Sequence, residues 1–194
     1  MPATMMRLVG GFLLLSILVP PLSVHGAQEA RYKRSEERYS IPDVTLITQD
    51  RRRVNLRDFI LSSDKPVLLD FIYGTCTTIC PVLSAGFVNM QRRINGGAQA
   101  VRLVSISIDP EHDTPEVMAE YLGRYGAKPG WDFFTGSRED IDKVMRAFDA
   151  YVINKMSHYP ITFLRKPGDE GWVRIHGLIS TAELMKEYQA LMGQ

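Results

Sequence analysis

The stretch KPVLLDFIYGTCTTICPVL, residues 65–83, joins a continuous apolar run to the only two cysteines of the chain, Cys76 and Cys80. The run from Lys65 to Tyr73 has the length and composition of a buried central strand. Apolar side chains then recur at helical spacing, which predicts a helix over 81–95. The two cysteines therefore lie between a strand and a helix, at the edge of an α/β sheet where ligands bind.

Strand-like and helix-like periods alternate from Ile41 to the C-terminus. Two short runs around a polar turn predict a hairpin before the central strand. Further strands are expected over 100–109 and 131–136 and in a hairpin turning at 167–171. The order of a βαβ unit, a further helix and a closing ββα unit predicts an α/β fold. We expect a thioredoxin-like three-layer sandwich with a mixed central sheet and an N-terminal hairpin extension.

Three helices carry recognisable start signals. One begins with Asp113 or Thr114 as N-cap and Pro115 at its first position, and Gly126 is expected to end it. Ser137 starts the next helix. Ser180 and Glu183 predict a capping box on the last. The turn and the helix start explain Asp109, Asp113 and Pro115, so no second ion site is inferred from them.

Composition excludes several classes of protein. The chain has 194 residues, of which 45% are hydrophobic and 23% charged, as in an ordinary globular protein. A formal net charge of +1 gives no electrostatic basis for nucleic acid as a partner. Two cysteines are too few for a disulfide-stapled scaffold or a four-thiolate zinc site.

The N-terminus has the pattern of an export signal. Arg7 precedes an apolar run, residues 8–19, which is shorter than the ~20 residues of a membrane helix. We expect residues 1–27 to be a signal peptide, or alternatively an uncleaved anchor. Residues 28–40 are predicted to be a polar linker, and 41–194 the functional domain. The protein is then periplasmic or anchored to the outer face of the inner membrane.

The cysteine pair has three possible roles: a structural disulfide, a redox couple or a pair of metal ligands. Residues four apart share one face of a helix, and a helix N-terminus favours thiolates. A loop this short removes little chain entropy, so a purely stabilising disulfide would contribute little. Two thiolates suit copper(I) or zinc, but such a site needs a third donor from elsewhere in the fold.

The histidines are the candidates for that third donor. His25 lies in the signal region. His158 precedes a strand in a loop that faces the same sheet edge as the cysteines in a thioredoxin-like topology. His112 lies in a helix-entry loop near that edge, whereas His176 is expected further away. We regard His112 and His176 as ordinary surface histidines.

Three blocks of sequence resemble the Sco/SenC family of copper-handling proteins: FIYGTCTTICP, VSISIDPEHDTPEVMAEYLGRYG with FFTGS, and SHYPITFL. The resemblance implies a thioredoxin-like domain that holds copper, as Cu(I) or Cu(II), through Cys76, Cys80 and His158. It implies a disulfide between Cys76 and Cys80 when they are oxidised. The implied partner is the copper-site subunit of cytochrome c oxidase or another cuproprotein, with a periplasmic copper donor or thiol reductant upstream.

The sequence departs from the family pattern near the site. Thr77, Thr78 and Ile79 stand where the family commonly has Pro-Asp-Val, and Ser157 stands where it commonly has aspartate. The missing carboxylates make the site less anionic, which is expected to weaken a divalent ion more than copper(I). Pro160 resembles the loop proline that thioredoxins place opposite their cysteines, which favours a redox role.

Other classes of function stay open from the residues, and one of them is a scaffold subunit whose disulfide is incidental. In a thiol–disulfide oxidoreductase, Cys76 would attack a partner disulfide, Cys80 would resolve the mixed disulfide and His158 would tune the thiol pKa. A peroxide-reducing thiol is suggested by Thr75 but requires a different local pattern with an arginine. The nine methionines are dispersed at helical spacing and, like Trp131 and Trp172, are predicted to pack in the core.

Overall fold

Strand β4 (Val67–Ile72) is buried at all six of its positions, as the apolar run predicts. The computed structural model describes residues 32–94 and 100–193. Those residues form seven further strands and five α-helices: β1 (Lys33–Arg38), β2 (Thr45–Thr48), β3 (Arg53–Asn55), α1 (Leu56–Leu61), α2 (Cys80–Arg93), β5 (Arg102–Ser107), α3 (Pro115–Tyr125), β6 (Trp131–Thr135), α4 (Arg138–Ala147), β7 (Ile161–Arg165), β8 (Gly171–His176) and α5 (Thr181–Met192).

All eight strands join one mixed sheet in the order β1-β8-β7-β4-β5-β6-β2-β3. The pairs β4–β5 and β5–β6 are parallel, and the remaining pairs are antiparallel. The hairpin of β2 and β3 extends the sheet through the pairing of β2 with β6. The predicted mixed sheet with an N-terminal hairpin is therefore confirmed.

Helices cover both faces of the sheet. Neighbouring residues of β6 point to opposite faces, where Phe134 meets Phe59 of α1 and Phe133 meets Tyr121 of α3. The end of α4 packs against β4 on the α1 face. Helix α2 contacts α3 and α5, so these three helices form the other layer. The result is the predicted three-layer sandwich, and Trp131 and Trp172 are buried within it at 2% exposure each.

The capping predictions are confirmed in detail. The Thr114 side chain accepts a hydrogen bond from the backbone of Val117, and α3 ends at Gly126, whose φ of 62° favours glycine. Ser137 caps α4 in the same way. Ser180 and Glu183 form the complete capping box of α5. Because Thr114 is the N-cap, the carboxylate of Asp113 is free for a different contact.

Residues 33–38, predicted as part of a polar linker, instead form strand β1. The strand pairs with β8 along its whole length, from Lys33 opposite His176 to Arg38 opposite Gly171. It is an edge strand, so its outward side chains face water and the sequence KRSEER shows no apolar alternation. The linker prediction is wrong for these six residues.

Smaller differences also have local causes. The short helix α1 was not predicted, because only Asn55, whose side chain accepts from the backbone of Asp58, marks its start. Strand β5 is shorter than the predicted 100–109. The expected helix stop at 95–97 and the expected signal at 1–27 lie outside the described residues. None of the helices in the described part of the chain has the length and apolar character that a bilayer crossing needs.

Candidate metal centre

Cys76 and Cys80 lie together at the N-terminus of α2. Cys76 is in the loop after β4, and Cys80 is the first residue of the helix. No side chain caps α2 in the usual way; instead, the backbone N–H of Cys80 donates to the Cys76 sulfur at 3.4 Å. The Cys76 sulfur therefore accepts from one of the backbone donors that a helix N-terminus leaves without partners. Both residues are free thiols in this structure, so the disulfide remains a prediction.

The two thiols have opposite electrostatic environments. Burial raises the pKa of Cys76, but hydrogen bonds from the Cys80 thiol and from the backbone of Cys80 and Thr78 outweigh burial and lower this pKa to about 7. Burial and the neighbouring Cys76 sulfur raise the pKa of Cys80 far above its ordinary value. Cys76 is thus the thiol that ionises first, and Cys80 is the fully enclosed partner.

Asp113 fixes the loop that carries Cys76. Its carboxylate accepts from the backbone N–H of Gly74, at 3.0 and 3.2 Å to the two oxygens, and from the hydroxyl of Ser107. A β-carbon at Gly74 would lie 2.8 Å from Asp113 Oδ1, so the loop approaches the carboxylate more closely than a larger residue permits. From the sequence, Asp113 was predicted only to start a helix. Its contact with Gly74 was not predicted because the two residues are 39 positions apart.

His158 follows a 3-10 turn, Lys155–Ser157, just before β7. Both of its ring nitrogens are buried and have no hydrogen-bond partner. Burial lowers the pKa of His158 to about 4, whereas proximity of the ring to the Phe71 backbone, which falls short of hydrogen-bond geometry, raises this pKa. The imidazole is therefore neutral at physiological pH, the form that can ligate a metal ion.

Tyr73 lies between the cysteine loop and the histidine loop. Its ring meets the His158 ring edge-on at 6.4 Å between centroids, and its hydroxyl donates to the sulfur of Met156 at 3.7 Å. Burial and then the charge of the neighbouring Cys76 thiolate raise the pKa of Tyr73 to about 12. Tyr73 was missed from the sequence because it reads as the last residue of an apolar strand.

Met156 contradicts the prediction that the methionines pack in the core. Its side chain is 74% exposed, in an irregular loop where helical periodicity carries no information. Met90, Met118 and Met145 do lie in the core, and Met185 and Met192 pack against it.

The structure does not bring the three predicted ligands into one cluster. Within residues 32–94 and 100–193, no group of three histidine, cysteine or acidic side chains is close enough to hold a metal ion. The cysteines are in contact with each other, and Tyr73 is a neighbour of both Cys76 and His158. The assignment of all three residues to one metal remains a prediction.

The remaining histidines have other surroundings. His112 Nδ1 is 3.0 Å from Asp109 Oδ1, and the other oxygen of that carboxylate accepts from Lys155 at the start of the His158 loop. His176 is exposed at the end of β8, and its ring packs against Tyr159 at 4.7 Å. His25 lies outside the described residues.

A shallow cavity of about 600 Å³ opens beside Cys76 and is lined partly by Thr75, Thr77 and Tyr121. A cavity of about 620 Å³ at another part of the sheet is lined by Lys65, Arg102 and Lys128 and contains no thiol or imidazole. The first cavity therefore gives a partner access to Cys76.

The SCO1/SenC family model matches residues 33–192. The chain belongs to the SCO1/SenC family. The SCO1 protein homolog of Bacillus subtilis is 32% identical over 117 residues, which are 59% of this chain and 59% of that protein. The chain therefore spans less than two thirds of the length of that SCO1 relative.

Solved SCO1/SenC structures share the fold. The structure of BsSco, described as a member of the Sco family of cytochrome c oxidase assembly proteins with a disulfide switch, has a TM-score of 0.66 at 24% identity, covering 81% of this chain and 95% of BsSco. Copper-bound ScoI of Bradyrhizobium japonicum has a TM-score of 0.61 at 27% identity, covering 77% of this chain and 99% of ScoI. The thioredoxin-like fold expected from the sequence is thereby confirmed.

Proposed function

We propose that this protein binds copper and passes it to a cuproprotein, with the copper-site subunit of cytochrome c oxidase as the first candidate recipient. The observation that carries the proposal is the pair of contacting thiols at the N-terminus of α2. Thiolates are soft donors that select copper(I). Membership of the SCO1/SenC family and the likeness to copper-bound ScoI support copper over zinc.

Cys76, Cys80 and His158 are the proposed ligands. The two buried ring nitrogens of His158 have no hydrogen-bond partner. A buried polar atom normally has a partner, and a bound metal ion would provide one for a ring nitrogen. Because the three side chains do not form a cluster here, binding requires the His158 loop to approach the thiols. Movement of the His158 loop would change two contacts, that of Lys155 with Asp109 and that of Met156 with Tyr73.

Transfer proceeds by ligand exchange at the open side of the site. A thiolate or imidazole of the recipient enters by the cavity beside Cys76 and replaces a ligand of the departing copper ion. No bond of a substrate is broken, so the protein acts as a metallochaperone and not strictly as an enzyme. Ligand deprotonation makes binding depend on pH, and oxidation of the thiols to a disulfide abolishes it.

A competition titration tests the ligand set. The reduced protein is titrated with copper(I) against a chelator, as wild type, His158→Ala and the matched control His112→Ala. We expect His158→Ala to weaken copper(I) affinity by at least about tenfold and His112→Ala to leave it unchanged. Equal affinity of wild type and His158→Ala would remove His158 from the ligand set.

A thiol–disulfide oxidoreductase is the second candidate, and the unequal thiols favour it. The lowered pKa of Cys76 makes that thiol an attacking nucleophile, and the enclosed Cys80 is placed to resolve a mixed disulfide. A Cys80→Ser variant should then trap a mixed disulfide through Cys76. A Cys76–Cys80 reduction potential well above about −200 mV would favour this exchange role over copper carriage.

We propose an extracytoplasmic location, either periplasmic or at the outer face of the inner membrane. The apolar run after Arg7 supports export, and 1–27 is the proposed signal or anchor. A periplasmic copper donor or a thiol reductant would then load or reactivate the site. Fractionation of cells that express the full chain, with mass determination of the mature N-terminus, tests location and cleavage together.

A further inference from the structure

Met156 is the one exposed sulfur among the methionines of the described chain. Large apolar side chains with substantial exposure are few there, and the others are aliphatic and have no donor atom: Leu61, Val82, Ile153 and Leu178. At 74% exposure, Met156 gains little from hydrophobic burial. Packing therefore does not explain a thioether at this position.

The sulfur of Met156 contacts Tyr73, a residue of the candidate metal centre. It accepts a hydrogen bond from Tyr73 at 3.7 Å, and the Tyr73 hydroxyl lies beside Cys76. The Tyr73 ring also packs edge-on against His158. The Tyr73 side chain therefore neighbours the Cys76 thiol, the His158 imidazole and the exposed Met156 thioether.

The turn that carries Met156 is well defined. The Asn154 side chain accepts from the backbone of Met156 at 2.9 Å, and the backbone of Ser157 donates to the Asn154 carbonyl at 2.8 Å. Lys155 anchors the turn to Asp109. Met156 and His158 are therefore two positions of one anchored turn, with the thioether on its solvent side.

The chemistry of a thioether differs from that of the other donors. It carries no proton, so its availability does not depend on pH, whereas a thiol must lose a proton to bind a metal. It is also soft, so it suits copper(I) and contributes little to copper(II). We propose that Met156 is an additional, outer ligand for copper(I), which holds the ion as it enters or leaves the Cys76–Cys80 pair.

This inference rests on the proposed copper-binding function, and the test separates the two. The full-length reduced protein, labelled with ¹³C at its methionine methyl groups, is titrated with copper(I) and separately with copper(II). The methyl signal of Met156 is assigned by its loss in Met156→Leu. We expect that signal to shift with the first equivalent of copper(I), and the signal of Met185, which packs against the core, to stay in place.

Affinity gives the second measurement. Met156→Leu is expected to weaken copper(I) binding by about fivefold and to leave copper(II) binding unchanged, while the matched control Met185→Leu behaves as wild type. Equal losses for both oxidation states would indicate a merely structural role and overturn the inference. Copper(I) binding with an unmoved Met156 signal overturns it too. No copper(I) binding by the wild type would instead overturn the proposed function.

Discussion

Cys76 and Cys80 behave as different thiols although only three residues separate them. The Cys76 sulfur receives hydrogen bonds from a helix N-terminus and from Cys80, whereas the Cys80 sulfur is enclosed with no exposed surface. Position relative to α2, and not residue type, sets this difference.

Alkylation measured against pH tests the asymmetry. Cys76 is expected to react first, with a midpoint near its pKa of about 7. Cys80→Ala removes the thiol donor but keeps the backbone N–H, so the midpoint should rise toward the ordinary thiol value while staying below it. Thr77→Val, at an exposed neighbouring position, serves as the control. An unchanged midpoint in Cys80→Ala would show that the Cys80 thiol does not stabilise the Cys76 thiolate.

Asp70 is a charged residue at the centre of the sheet. Its side chain is fully buried in β4, and neither carboxylate oxygen has a hydrogen-bond partner. Burial raises its pKa from 3.8 to about 7, and this outweighs the lowering effect of the nearby Ser105 hydroxyl, which falls short of hydrogen-bond geometry. The folded protein therefore binds a proton here between about pH 4 and 7 that the unfolded chain releases.

Stability should fall as pH rises through this window. Because the folded pKa lies above the unfolded one, the contribution of Asp70 is fully present below pH 3.8 and is lost as pH rises through about 7. Asp70→Asn removes this dependence, so its stability relative to wild type should grow by about 2.6 kcal/mol from pH 5 to pH 8, because about two pH units of the window lie in that range at about 1.4 kcal/mol each. Urea unfolding at both pH values measures the gain, with exposed Asp64→Asn as control. A pH-independent difference would contradict the burial argument.

At the scale of elements, β1 ties the start of the described chain to the sheet. It pairs with β8, and Tyr32 and Arg34 reach Glu187 of α5 at 2.8 and 3.0 Å. Strand β1 therefore protects the edge of β8 and links the sheet to the last helix.

Truncation tests that role. Removal of residues 1–38 should lower the free energy of unfolding by about 2–4 kcal/mol, since several backbone hydrogen bonds worth about 1 kcal/mol each are lost. Removal of 1–30 alone keeps β1 and is expected to leave the stability unchanged. Denaturant unfolding of the two truncated proteins gives the comparison. Equal stabilities would mean that β1 behaves as the linker predicted from its sequence.

The contrast between β1 and the helices shows what sequence can predict. Thr114 and Ser180 mark helix starts by contacts within three residues, so their caps were predictable. Strand β1 depends on a partner strand more than 130 residues away in the chain, and its charged side chains give no alternation. The cysteine pair was predictable because it is local, whereas the contact of Asp113 with Gly74 joins two loops distant in sequence.

For the whole molecule, the proposed copper site predicts a coupling between metal binding and stability. Copper(I) at about 100 times its dissociation constant should stabilise the folded state by about 2.7 kcal/mol. For a chain of this size that corresponds to an increase in Tm of roughly 5–10 °C. Calorimetry of the reduced protein with and without copper(I) measures it. The double variant Cys76→Ser/Cys80→Ser should show no increase, and an equal increase would place the metal elsewhere.

The turn between β7 and β8 is a suitable place to attach a label without disturbing the proposed copper site. It lies at the far end of β7 from His158, five strand residues away, or about 16 Å along the strand. Glu170 in that turn is exposed, and its side chain forms a loose surface pair with Arg38. A fluorescent dye installed there through a non-cysteine attachment would report the docking of a recipient protein in real time while leaving every sulfur atom unmodified.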